Sequence, residues 1–260
     1  MFIFGLGYTA KRIAQALSNA GWSVESTGSD GTIAFDDEPA VLSALAASSH
    51  VLSSVPPSEG SDPVLDRYGA ALGDIWLGYL SSTGVYGDWQ GAWVDEATPT
   101  GGGRRTARSD CDARWLEAGG RVFRLPGIYG PGRSAFDRVR EGKAHRIDLP
   151  GQVFSRVHVD DIVSGVVAAV ASDAPPGAYN LADDLPTSQK AVIEEACRLL
   201  GVERPPLQTM DEADLSPMAR GFYAENRRVA NVKAKRVLGW QPDYPTFREG
   251  LAALMASDGD

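Results

Sequence analysis

Two kinds of apolar spacing alternate along the first half of the chain. Short apolar runs, "MFIF", "WSVEST", "HVLSSV", "IWLGYLSS" and "RVFRL", have the length of buried strands. Between them apolar residues recur every three or four positions. Ile13, Ala14, Leu17 and Ala20 share one helical face, and Gly21 ends it. "PAVLSALAASS", "DPVLDRYGAAL" and "RSDCDARWLEA" read as helices in the same way. This alternation predicts βαβ units with right-handed crossovers. The fold class is therefore α/β, a Rossmann-type doubly wound parallel sheet with helices on both faces.

The second half is less regular. "PGRSAFDRVREG" reads as a loop and helix, and "AHRIDL" and "VFSRVHV" as short strands. "DDIVSGVVAAVAS" is an apolar helix opened by acids, which suit a helix N-terminus. "AYNLA" reads as a strand, and "SQKAVIEEACRLLG" as a helix stopped by Gly201. Two short helices around "LGWQPDYP" close the chain. A boundary is expected near "PGIYGPG", giving a first domain over 1–128 and a smaller α/β lobe over 129–260. Strands of the second half can rejoin the first sheet.

Composition narrows the class. With 260 residues, 43% apolar and 23% charged, the chain suits one large or two small soluble domains. Its 25 basic and 34 acidic residues, net −9, disfavour nucleic-acid and anionic-membrane partners. Cys111 and Cys197 fit neither a disulfide framework nor metal spacing, so they read as small buried apolar groups and no metal is expected. The N-terminus lacks a basic region ahead of its apolar run and reads as a strand rather than a signal peptide. No apolar run approaches the roughly 18 residues of a membrane span. A cytoplasmic protein is expected.

The first chemistry-bearing motif is "FGLGYTAKRIAQAL". Gly5, Gly7 and Ala10 form G-x-G-x-x-A after a strand and before a helix. The first glycine permits a tight turn, the second lets backbone approach a pyrophosphate, and the small third residue lets helix and strand pack closely. The helix N-terminus then offers free N–H groups to phosphate. A dinucleotide, NAD or NADP, is the expected cofactor, held by Gly5, Gly7, Tyr8, Thr9 and Ala10, with Ser29 and Ser54 alongside. The tip of the second strand carries Thr27, Gly28 and Ser29, with Asp30 just beyond. Ser29 can bond a ribose with or without its phosphate. Lys11 and Arg12 stand as solvated helix residues or as phosphate partners, so the choice between NAD and NADP stays open.

"LSSTGVYGD", residues 80–88, sets Ser82 and Thr83 directly after a buried strand, with Tyr86 following. Together with "GLGYTA", "RLPGIYGPGR", "FSRVHVDDI", "YNLADD" and "VLGWQPDYPTFREGL", it makes the chain resemble the extended short-chain dehydrogenase/reductases, the NAD-dependent epimerase/dehydratase family. The resemblance spans nearly the whole chain. It implies a cofactor-binding Rossmann domain and a smaller lobe closing over a small-molecule, often nucleotide-linked, substrate. It implies that Ser82, with Thr83 beside it, bonds the reacting oxygen, and that Tyr129 lies against the nicotinamide. Arg133 and Arg156 match positions that often face a substrate phosphate. His158 and Asp160 match a structural pair in which the acid caps the following helix and the histidine packs beneath it. Such proteins often dimerise through two helices.

One part of the pattern is absent. The family carries a Tyr-x-x-x-Lys pair on the helix after the site floor. Its lysine lowers the pKa of a phenol that is otherwise near 10. Here the corresponding segment is "TGGGRRTARSDCDARWLE", with neither residue; the aligned positions fall near Arg104 and Arg108. An arginine cannot titrate near neutrality. Three expectations follow: Tyr86 supplies a substitute phenol, the branch is atypical with a different acid, or the protein binds a dinucleotide without turnover, as a regulator or interaction protein.

Overall fold

The computed structural model describes residues 1–103 and 106–257. The first half comprises β1 (Phe2–Phe4), α1 (Tyr8–Asn19), β2 (Glu25–Ser26), α2 (Glu38–Ala46), β3 (His50–Ser53), α3 (Pro63–Tyr68), β4 (Trp76–Ser82), β5 (Trp93–Val94), α4 (Thr106–Glu117) and β6 (Arg121–Leu125). The second half comprises β7 (Gly127–Tyr129), α5 (Ala135–Arg140), β8 (Arg146–Ile147), β9 (Arg156–His158), α6 (Val159–Ala171), β10 (Gly177–Asn180) and α7 (Gln189–Leu200). After these come β11 (Leu207–Gln208), α8 (Pro217–Phe222), β12 (Arg228–Val229), α9 (Val232–Leu238) and α10 (Phe247–Ser257).

Six strands form one parallel sheet in the order β2-β1-β3-β4-β6-β10. The chain leaves β1 for β2 on one side and returns to β3 on the other. This reversal opens a crevice beyond the carboxyl ends of the strands, where the glycine turn lies. Side chains alternate across the sheet. Ile3, Leu52, Leu80 and Phe123 face a core built with Ile13 and Leu17 of α1 and Ile162 and Val166 of α6. Phe2, Phe4, Val51, Tyr79 and Val122 face the opposite core, built with Val41 and Leu45 of α2, Val64 and Tyr68 of α3 and Trp115 of α4. A third cluster, Phe136, Val192, Ala196, Phe247, Leu251 and Leu254, joins α5, α7 and α10.

Local chemistry sets the element ends. Asp37 and Ser188 cap α2 and α7 by accepting from Ala40 N and Ala191 N, both at 3.2 Å. Asp62 accepts from Val64 N and Leu65 N at the start of α3, at 3.0 and 2.9 Å. It also accepts from the indole of Trp115 on α4, at 2.7 Å. Gly201 ends α7 in the left-handed conformation, φ +67°. The second strand is shorter than its sequence suggests because it is an edge strand whose sole neighbour, β1, is three residues long. β10, from the second half, extends the main sheet beside β6.

Candidate active site

The glycine turn is held from both sides. Gly5 has φ +80°, which a side chain strains to adopt. Its N–H donates to Thr27 Oγ1 at 3.1 Å, and its carbonyl accepts from Ser54 Oγ at 2.5 Å. Ser54 therefore supports the turn through its hydroxyl. Gly7 is the N-cap of α1. No side chain caps it, no acid lies in the first turn, and a Cβ built there meets nothing within 4 Å. The first-turn N–H groups, with the positive end of the helix dipole, thus face open space at Gly7, where an anion is favoured. Ala10 is buried under the turn, as close packing requires, and Thr9 is buried beside it.

Tyr8 joins this turn to the "GIYGPGR" loop. Its hydroxyl donates to Pro131 O at 3.1 Å, and Arg12 and Arg133 lie 4.3 and 5.7 Å from its ring centre. Arg133 thus stands exposed at the cleft mouth. Ser29 is exposed in the turn after β2, where Lys11 pairs with Asp30.

Ser82 ends β4, and its side chain accepts from Gly84 N at 3.1 Å, capping the short helical turn Thr83–Tyr86. Ser82 and Thr83 both line a cleft of about 720 Å³ between the sheet edge and the second half of the chain. Tyr86 turns inward. It is buried, donates to Asn180 Oδ1 at 2.8 Å and accepts from Arg124 Nη1 at 3.0 Å. Burial, partly offset by Arg124, pushes its phenol up to about 12. The hydroxyl of Tyr86, one of the expected substitutes for the missing phenol, is thus committed to an internal network. That network continues behind the floor. Arg124 forks onto Asp112 at 2.6 and 3.1 Å, and Asp112 accepts from Ser81 Oγ at 2.7 Å.

α4 reads "TARSDCDARWLE", without Tyr or Lys. Arg104 lies outside the described residues. Arg108 donates to Tyr79 OH at 2.8 Å, with its guanidinium 5.9 Å from that ring centre. Asp112, rather than a Tyr-Lys pair, links this helix to the site floor. The "GGG" run before α4 carries a signal that sequence reasoning missed. A Cβ on Gly103 overlaps the carbonyl of Gly84, so only glycine lets this segment lie against the floor loop.

The cleft walls come from both halves of the chain. Arg156 is nine-tenths buried or more. It donates to Phe154 O, Thr187 O and Gln189 Oε1 at 2.9, 3.0 and 3.1 Å. Burial pulls its pKa down to about 10. Its donors are thus engaged with carbonyls. Tyr129 also lines the cleft, but its hydroxyl is enclosed against Gly250 and its ring packs edge-on to His158, at 5.1 Å. His158, not Asp160, caps α6: its Nδ1 accepts from Asp160 N at 3.3 Å. Asp160 remains in the first turn, 4.0 Å from Arg12. Burial lowers the pKa of His158, keeping the ring a neutral acceptor. Asp161, next along, is the fully buried acid and accepts from Asp243 N and Tyr244 N at 2.7 and 3.3 Å.

A parallel sheet with its glycine turn at the strand reversal, and a hydroxyl-bearing floor opening on a cleft, define the fold of the extended short-chain dehydrogenase/reductases. A structure from Methylobacillus flagellatus, a candidate NAD-dependent epimerase/dehydratase, shares that fold with TM-score 0.77 and 21% identity, over 100% of this chain and 98% of that one. The chain belongs to the same family as a conserved protein of unknown function from Silicibacter pomeroyi. The two are 40% identical over 98% of each chain, with TM-score 0.88. A 3-diazoavenalumate denitrifying reductase from a Streptomyces species is 34% identical over 174 residues. That match takes in 61% of this chain and 55% of the reductase, so the chain spans about half of that relative's length. No family model matches. Among the described residues, no helix is long and apolar enough to cross a membrane.

Proposed function

We propose that the protein is an NAD(P)-dependent enzyme of the epimerase, dehydratase or reductase kind, acting on a small anionic substrate in the cleft. The observation that carries this reading is the open, uncapped start of α1 at Gly7, on the same sheet edge as Ser82 and Thr83. The first-turn N–H groups would hold the pyrophosphate, and Tyr129 and the "GIYGPG" loop would border the nicotinamide end. A bound dinucleotide would supply or accept hydride. The chain orients the substrate: Ser82 offers a hydroxyl to its reacting oxygen at the floor of the cleft. The cleft carries Arg133, Arg138, Lys143, Arg156 and Arg227 against Asp137 and Glu225. Asp137 closes the cap of α5 and Glu225 pairs with Arg227, so the local balance is cationic although the whole chain is −9. This balance supports an anionic substrate.

Calorimetry with NAD and NADP tests the reading. Measurable binding by the intact chain, abolished in Gly7→Val with the fold retained, is the expected result. No binding at millimolar dinucleotide contradicts it. A second reading, a dinucleotide-responsive regulator without turnover, is favoured by the lack of Tyr and Lys on α4. Turnover of bound cofactor that Ser82→Ala abolishes would exclude that reading.

A further inference from the structure

We propose that Tyr223 is the phenol that delivers a proton to substrate in this cleft, standing in from the opposite wall for the Tyr-Lys pair that α4 lacks. The proposal rests on the redox reading above. It comes from following every tyrosine hydroxyl. Those of Tyr8, Tyr68 and Tyr179 donate to backbone carbonyls. Tyr79 accepts from Arg108, and Tyr86 is locked between Arg124 and Asn180. The Tyr129 hydroxyl is sealed in the interior, and Tyr244 lies with its ring 4.2 Å from that of His158, away from the cleft lining.

Tyr223 differs on each count. It follows α8 directly, lines the cleft that Ser82 and Thr83 also line, and is half-buried. Its ring stands edge-on to Phe154, with centres 5.4 Å apart and planes at 87°, which fixes its orientation. Its hydroxyl has no hydrogen-bond partner among the described residues, so the O–H is available to a ligand. Burial raises its pKa, and Arg156 and Arg138 act in the opposite direction. The phenol therefore rests protonated, the state from which an acid must start. The Arg156 and Arg138 charges favour the phenolate it leaves, less strongly than burial opposes it. Arg138 lines the same cleft, and its guanidinium has no ion pair or hydrogen bond among the described residues.

The step balances for a carbonyl substrate. A bound reduced dinucleotide would supply the hydride for the new C–H bond. The C=O π pair moves onto oxygen and forms the O–H bond with the Tyr223 proton. The dinucleotide is oxidised, the carbonyl is reduced, and the phenolate regains its proton from water.

The full chain serves for two measurements. The first needs no substrate: acetylation by N-acetylimidazole, followed tyrosine by tyrosine by mass spectrometry. Tyr223 is expected to react several times faster than Tyr79 and Tyr86, and more slowly in Arg138→Gln. The second is NADPH oxidation with phenanthrenequinone, a dicarbonyl probe. Tyr223→Phe is expected to lower kcat about 100-fold while NADPH affinity, read by tryptophan fluorescence, stays within a factor of two. A Tyr223 as unreactive as Tyr86, or a Tyr223→Phe enzyme with wild-type kcat, overturns the proposal. If wild type leaves the probe untouched, the acetylation rates alone decide. Failure of wild type to bind NADPH would instead count against the dinucleotide reading, which calorimetry reports separately.

Discussion

Asp183 follows β10 and lies buried beside Arg156. Burial pushes its carboxyl up to about 7, against the opposing pull of the Arg156 charge, and neither carboxyl oxygen has a hydrogen-bond partner among the described residues. Its unfolded value is near 3.8, so the folded form holds the proton more tightly. That contribution is full below about pH 4 and is lost as pH rises through about 7. The melting temperature is therefore expected to fall across this window, by about 2–4 kcal/mol of stability from this group. Asp183→Asn, neutral throughout, should flatten that part of the profile in a thermal-shift series. An unchanged slope in the variant would clear Asp183 of the effect. At this scale the sequence is most informative where function depends on backbone. Gly5, Gly7 and Ala10 are legible because a tight turn and close packing admit few residue types. The direction of a side chain is not local information. Tyr86 follows the site floor in sequence, yet Arg124 and Asn180, 38 and 94 residues away, turn its hydroxyl inward. Tyr223 sits in a segment without any motif and reaches the cleft only through the tertiary fold.

Between elements, the Asp112–Arg124 pair links α4, β6 and, through Ser81, β4. Both side chains are almost fully buried, at 1% and 4% exposed. A buried pair of this kind adds modest net stability while intact. Removing one partner leaves an uncompensated charge and costs about 3–5 kcal/mol. Asp112→Ala is expected to lose stability in that range in urea, and Arg124→Ala,Asp112→Ala together less than the sum of the two single changes. Full additivity would show that the two side chains do not act as a unit. The long helices and main-sheet strands were readable from their apolar period. The strands β5, β11 and β12 were not, because each is a two-residue pairing set by distant neighbours, as when Trp93 aligns with Arg228. Asp160, the expected cap of α6, leaves that place to the neutral ring of His158, which accepts from the Asp160 N–H.

For the whole molecule, the two halves share one framework. β10 covers the outer edge of β6, and α6 packs on α1 across the core that holds Ile3, Leu80 and Phe123. A fragment of residues 1–128 lacks both. Ile162, Val166 and Val170 of α6, all buried in that core, are removed with it. Large apolar side chains contribute about 1.5–3 kcal/mol each on burial, so losing several such contacts approaches the 5–15 kcal/mol that stabilises a typical domain. The fragment is expected to show no cooperative thermal transition and to bind a hydrophobic dye, while the full chain melts in one step. A fragment that melts cooperatively near the full-chain temperature would establish 1–128 as an autonomous unit. Ligand linkage sharpens the comparison. If it binds as proposed, a dinucleotide at 100 times its Kd would add about 2.7 kcal/mol to the full chain and raise its melting temperature. It should leave the fragment unchanged: the glycine turn is retained in 1–128, but the sheet that aims it is not stable alone, and the far wall of the cleft is gone.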